Sequence, residues 1–229
     1  MNKLFNFILI GRSGCGKGTQ AELLIQKFNN LSVISTGSLL RNLGDLGTDT
    51  GRRVKRVLET GGLIFDDLAT ALWMHEIAFN IKEDVGVLAD GFPRRLVEAK
   101  NLDRFLEFLE RKESTAAILI DISEEEALNR LTKRRICKNC GKTIPFLEPY
   151  KNWEKCMKCG GELIVRVDDS LEAIKRRLSF FEESVVPVIE YYKSQNCLVT
   201  VNGEQPIERV FEEILAKIKK LYSLNASKF

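Results

Sequence analysis

The sequence predicts an α/β protein, a five-stranded parallel sheet flanked by helices and carrying two insertions. Three observations lead there. Apolar runs at 5–10, 32–34, 87–90, 116–122 and 198–201 are mostly continuous in hydrophobicity rather than alternating, as in strands covered on both faces. Helical patterns separate them, so strand and helix alternate as in βαβ units. The first run also leads straight into a glycine-rich turn, GRSGCGKGTQ at 11–20, with a helix-compatible stretch at 21–28 behind it.

The 229 residues suffice for one large α/β domain with insertions or two small domains, and 44% hydrophobic with 29% charged residues marks a soluble globular chain. A formal net charge of +3 is too small to argue for nucleic acid or a membrane as partner. No apolar run approaches the ~20 residues of a membrane span. The start, MNKLFNFILIGRSG, lacks a small-residue cleavage site, so it reads as the first strand of a cytoplasmic protein.

In chain order, strand one precedes the turn, whose glycines let the backbone wrap round a polyphosphate. The following helix adds its positive end, and Lys17 adds a full charge. This is a P-loop, with one departure from GxxxxGK[ST]: Gly18 follows Lys17, and the hydroxyl comes one place later on Thr19. Residues 35–64 break the alternation, being rich in Gly, Thr and Arg. Ala71, Met74, Ala78 and Ile81 then share a helical face, with the single histidine, His75, expected at a helix surface or boundary. The strand at 87–90 ends on Asp90, placed where P-loop enzymes hold Mg²⁺ directly or through water. Leu102, Phe105, Leu106 and Leu109 form the next helical face.

The second interruption carries Cys137-KN-Cys140-G and Cys156-MK-Cys159-G. Each CxxCG knuckle puts two thiolates on one side of a tight turn, and the intervening residues let the second pair complete a tetrahedron. Four protein ligands leave no open position, so the expected Zn²⁺ is structural. A redox dithiol is the alternative. Ile174, Leu178, Phe181 and Val185 predict one helix, and Phe211, Ile214, Leu215, Ile218 and Leu221 a last one. Arg52, Arg53, Arg56, Arg104 and Arg111 are expected on solvated helix faces.

Taken together, GRSGCGKGTQ, ISTGSLLR (34–41), DGFPRR (90–95) and VRVDDSLEAIKRRL (165–178) resemble the adenylate kinase family of nucleoside monophosphate kinases, over nearly the whole chain. The resemblance implies a P-loop core with a small helical NMP-binding insertion and a zinc-ribbon-like lid. The segments would be core at 1–34, 65–133 and 168–229, NMP-binding insertion at 35–64 and lid at 134–167. It also implies that Gly14, Cys15, Gly16, Lys17, Gly18 and Thr19 hold the ATP phosphates. Arg130 would stack on the ATP base, with Gln205 beside it. Thr36, Arg41, Gly62, Leu63, Ile64, Gly91, Phe92, Pro93, Arg94 and Glu98 would line the monophosphate site, with Pro93 cis. Arg134, Arg166 and Arg177 would converge with Arg94 on the exchanged phosphates, Asp168 and Asp169 tethering the lid.

Such chemistry needs positioning and cations rather than a covalent nucleophile, which suits a chain with one histidine. The expected reaction is MgATP + AMP ⇌ 2 ADP by a monomer. Glu98 is the main departure, since the family commonly has glutamine there. An ionised glutamate only accepts and suits the two donors of guanine, so GMP is an alternative acceptor. Arg12 and Ser13 replace the usual prolines or small residues, and Ile144 and Pro145 stand where Tyr and His are frequent. A non-catalytic P-loop and zinc-ribbon module binding nucleic acid is the alternative of a different class.

Overall fold

A computed structural model describes residues 4–60, 62, 64–166 and 169–226, with side chains to 223. Its elements run β1 (Asn6–Ile10), α1 (Lys17–Phe28), β2 (Leu31–Ser35), α2 (Thr36–Gly44), α3 (Asp49–Glu59), α4 (Asp66–Asn80), β3 (Gly86–Asp90), α5 (Leu96–Phe108), β4 (Thr115–Asp121) and α6 (Glu124–Lys133). The chain continues through β5 (Arg135–Cys137), β6 (Thr143–Ile144), β7 (Leu163–Val165), α7 (Leu171–Phe180), α8 (Val186–Ser194), β8 (Leu198–Asn202) and α9 (Ile207–Ala226).

Five strands form one parallel sheet, as the apolar runs predict, and the structure sets their order as β2-β3-β1-β4-β8. The continuous hydrophobicity has a direct cause. Along β1, Phe7 and Leu9 enter a cluster with Leu24, Ile118, Ile174 and Ile214, while Ile8 and Ile10 enter another with Trp73, Leu102, Leu119 and Val188. Every apolar residue of the strand, Phe7 to Ile10, therefore meets a helix-covered face. The register aligns Leu9 with Asp90, Asp90 with Ser35, and Asp121 with Asn202. The carboxyl ends of the strands thus share one edge, where ligands of open α/β sheets bind.

The first insertion forms two real helices, α2 and α3. Thr48 caps α3 by accepting from the Gly51 amide at 3.0 Å. The second forms a small antiparallel sheet, β6-β5-β7, with the cysteine knuckles at its end. Among the described residues, no helix is long and apolar enough to cross a membrane.

Two expectations are corrected. Arg111 is no solvated arginine: it is buried and donates to the carbonyls of Val85 at 2.7 Å, Lys82 at 3.1 Å and Glu83 at 3.3 Å. The single helix expected across 174–185 is interrupted. A π-turn, Phe181–Val185, separates α7 from α8. Pro187, at the start of α8, has no N–H for the carbonyl four residues back, which favours a widened turn just before it.

Candidate active site

The glycine-rich turn builds its concavity from backbone. Gly16 caps α1 at φ 104°, a left-handed conformation that side chains rarely adopt, and the helix amides begin immediately behind it. Lys17 folds back within this loop, its Nζ donating to the carbonyls of Gly11 at 2.7 Å and Arg12 at 3.0 Å. Gly14, Cys15, Gly16 and Thr19 line a cavity shared with Arg130, Arg134 and Gln205. Gly18 is exposed at the start of α1.

Arg130 is buried and anchored, donating to Glu126 Oε1 at 2.6 Å and to the Gly203 carbonyl at 2.9 Å. Gln205 Nε2 donates to Glu213 Oε2 at 2.6 Å and to the Asn202 carbonyl at 3.0 Å, and the residue lines the cavity. Phe146 and Leu147 also line the cavity, and sequence reasoning missed both. Phe146 carries the Lys133 ammonium 4.8 Å over its ring. An aromatic beside Pro145 between the knuckles was the available signal.

Next to this cavity, Arg134 and Arg177 converge on Asp169, whose carboxylate is fully buried. It accepts a two-pronged contact from Arg134, at 2.9 and 2.7 Å, and a third bond from Arg177 at 2.6 Å. Arg134 feels burial first, which lowers its pKa; Asp169 opposes that, and the positive charges of Arg166 and Arg177 add to it. Arg94 is exposed at the surface yet crowded by Glu98, Asp90 and Arg177. Its pKa is lowered first by burial, with Glu98 and Asp90 raising it and Arg177 lowering it. Arg134 and Arg177 thus share the Asp169 carboxylate, Arg134 also feels Arg166, and Arg94 feels Arg177 together with Asp90 at the sheet edge. Asp168 lies outside the described residues.

After β3, Arg94 Nε donates to the Gly91 carbonyl at 2.7 Å, and the Phe92–Pro93 bond is cis, as expected. Phe92 is buried and stacks on Trp73 at 5.2 Å. Thr36 Oγ1 is buried with no hydrogen-bond partner among the described residues. Arg41 donates to Ser38 Oγ at 3.2 Å. Gly62 and Ile64 are half-buried on the chain leading into α4, and Leu63 lies outside the described residues. Glu98 is buried, and its Oε2 accepts from the amides of Arg94 at 2.6 Å and Arg95 at 3.3 Å. It therefore caps α5, which leaves only its second oxygen for any ligand.

In the knuckles, the four sulfurs of Cys137, Cys140, Cys156 and Cys159 lie within 4.8 Å of one another, with contacts of 3.5 and 3.6 Å. A tetrahedral zinc with bonds of about 2.3 Å spaces its sulfurs by about 3.8 Å, so the donor set fits that metal. Gly141 and Gly160 close the two knuckles at φ 68° and 70°. Backbone N–H groups, first that of Cys140, pull the Cys137 thiol down to about 6, whereas Cys159, despite the Gly161 amide, is pushed up to about 12 by the sulfurs of Cys137 and Cys140, so the two thiols share one proton unevenly.

Comparison with known proteins gives the same direction. A family model described as adenylate kinase matches residues 9–197. An adenylate kinase of Petrotoga mobilis is 39% identical over 209 residues, 90% of this chain and 94% of that protein. One from Thermosipho africanus is 38% identical over 94% of this chain and the whole of its own length. One from Archaeoglobus fulgidus is 37% identical over 95% of this chain, again across its full length. With the model spanning more than half the sequence, and a phosphate loop facing an arginine cluster, this chain belongs to the adenylate kinase family and is a phosphotransferase.

Proposed function

We propose that the protein is an adenylate kinase that reversibly transfers the γ-phosphoryl group of ATP to AMP, giving two ADP. The observation that carries this reading is the grouping of Arg94, Arg134, Arg166 and Arg177 around Asp169 and Asp90. Two polyanions meeting in a cleft repel each other strongly, and guanidinium groups offset that repulsion. The phosphoryl group in flight spreads charge over three oxygens, for which fixed cations are complementary.

In this scheme Lys17 and the amides of Gly14 to Thr19 hold the donor phosphates. Arg130, Phe146 and Gln205 border the base. Arg41, Arg94 and Thr36 orient the acceptor monophosphate, with Gly62, Leu63, Ile64 and Gly91 against its nucleoside. Arg134, Arg166 and Arg177 stabilise the transferred group, and Asp169 sets their spacing. Asp90 is the residue here that would organise Mg²⁺, which neutralises and orients ATP oxygens when bound. With no hydroxyl directly after Lys17, that metal's protein contacts fall more heavily on Asp90. The segments at 35–64 and 134–167 act as covers that exclude water during transfer. Zinc in the four-cysteine site would hold the second cover in shape.

Glu98 keeps GMP as a competing acceptor, because its remaining carboxylate oxygen can accept from a guanine donor. A coupled assay with AMP, GMP, CMP and UMP separates the readings. AMP turning over fastest by at least about tenfold is expected. Equal rates, or GMP ahead, would replace adenylate with a different monophosphate specificity.

A further inference from the structure

Arg12 stands in the phosphate loop where small residues or prolines are usual, yet its guanidinium does not face the cradle. It donates to Asp121 Oδ1 at 3.4 Å, on the last residue of β4, and to the Ile122 carbonyl at 3.0 Å just past it. It also pairs with Glu182 and lies 4.5 Å over the ring of Phe181, both in the π-turn. One side chain therefore joins the loop, the sheet edge and the widened turn after α7.

The two ends of this bridge matter. At one end, the Arg12 carbonyl accepts from Lys17 Nζ at 3.0 Å and from the Cys15 amide at 3.2 Å. At the other, the Phe181 amide donates to the carbonyl of Arg177, whose guanidinium reaches Asp169. Lys17 and Arg177 are thus connected through a single residue and its immediate contacts. The acidic side chains are about half exposed, 55% for Asp121 and 51% for Glu182, against 18% for Arg12. Solvent screens such pairs, so the arrangement adds little to folding stability. What it supplies is geometry: three acceptors and a ring face fix the guanidinium plane. π-turns interrupting helices occur often at functional sites, and this one presents consecutive residues to the same cation.

We propose that Arg12 is a positioning residue that fixes the spacing between Lys17 in the donor loop and Arg177 on the transfer side. The proposal rests on the kinase reading for the role of Arg177. It assigns Arg12 no contact with the nucleotide.

The experiment compares full-length wild type with Arg12→Ala, Arg12→Lys, Glu182→Gln and the Arg12→Ala/Glu182→Gln double variant, using whichever monophosphate the wild type prefers. Each is measured for kcat, for KM of both substrates, for thermal midpoint, and for deuterium uptake at residues 11–16. Misplaced reacting groups cost rate rather than stability, so Arg12→Ala is expected to lose about tenfold in kcat. Its midpoint falls by less than about 3 °C, as for a half-exposed pair. KM for the monophosphate stays within about twofold, since uniform binding is untouched. Arg12→Lys recovers part of kcat, and the double variant loses no more than Arg12→Ala, because both changes break one connection. Uptake at 11–16 rises in Arg12→Ala and in Glu182→Gln. Unchanged kcat in Arg12→Ala, losses that multiply in the double variant, or a kcat loss matched by a large fall in midpoint would each overturn the proposal. If the wild type phosphorylates no monophosphate, the kinase reading falls, and deuterium uptake alone decides whether Arg12 holds the loop. Unchanged uptake at 11–16 overturns the bridge in either case.

Discussion

The parallel sheet and the cysteine-bearing segment fold by different means. In the sheet and its helices, Leu24, Leu88, Ile118, Ile120 and Ile214 are fully covered, and each apolar residue is held by many others. Between residues 134 and 166, the buried apolar side chains are Ile144 and two cysteines, Cys137 and Cys156. A segment with one covered aliphatic side chain cannot offset its own chain entropy through burial. The contrast teaches that the core is stabilised by area, whereas this segment needs a cross-link, for which its four sulfurs are arranged.

The most severe way to break the contrast is to remove the cross-link. Chelation, or Cys156→Ser, should abolish more than about 99% of activity and open residues 134–166 to proteolysis, because structural zinc contributes on the order of 10 kcal/mol to such sites. The core transition should survive in calorimetry, and metal analysis should fall from about one zinc per chain. Full activity without metal would refute the assignment. Next is a matched pair of truncations. Ile118→Ala should cost about 3–4 kcal/mol in denaturant unfolding. Ile144→Ala should cost clearly less in the same global transition and show instead as zinc lost more readily to chelator. Equal costs would mean the two regions unfold as one unit.

Asp169→Asn tests the joint between the regions, since Arg134 leads into the segment and Arg177 rides on the core helix α7. Removing the shared carboxylate leaves two guanidinium groups facing each other, and kcat should fall about tenfold to a hundredfold while zinc content holds. The smallest effect concerns Glu98. Burial raises its pKa above the ordinary carboxylate value, against the opposing amides of Arg94 and Arg95. The folded state then holds that proton more tightly than the unfolded state. The group favours folding at pH below its unfolded pKa and loses that contribution as pH rises through the raised value. Glu98→Gln should therefore raise the melting midpoint near pH ~7 and leave it nearly unchanged near pH ~4. A gain of the same size at both would point to packing instead.

Much of this was legible in the sequence, for reasons that differ by element. Strands covered on both faces cannot alternate, so β1 and β4 announced themselves through unbroken apolar runs, with edges off by about one residue as is usual. Lys17, the loop glycines and the CxxCG knuckles were legible because phosphate and metal chemistry demand particular residues at fixed spacing. The burial of Arg111 was not. Its partners are backbone carbonyls at 82, 83 and 85, which carry no side-chain signature. The π-turn was hidden because Ile174, Leu178, Phe181 and Val185 keep helical spacing through it. Arg12 looked like a tolerated departure, since the partners that give it purpose, Asp121 and Glu182, are 109 and 170 residues away.

The folded-back position of Lys17 has a consequence for how nucleotide enters. Its ammonium already satisfies two loop carbonyls, at 2.7 and 3.0 Å. In the proposed reading, where Lys17 holds the donor phosphates, binding is an exchange reaction in which one set of charge-assisted bonds is surrendered for another. The observed affinity for ATP reports the difference between those sets. A weak measured constant would be compatible with a very strong lysine–phosphate contact.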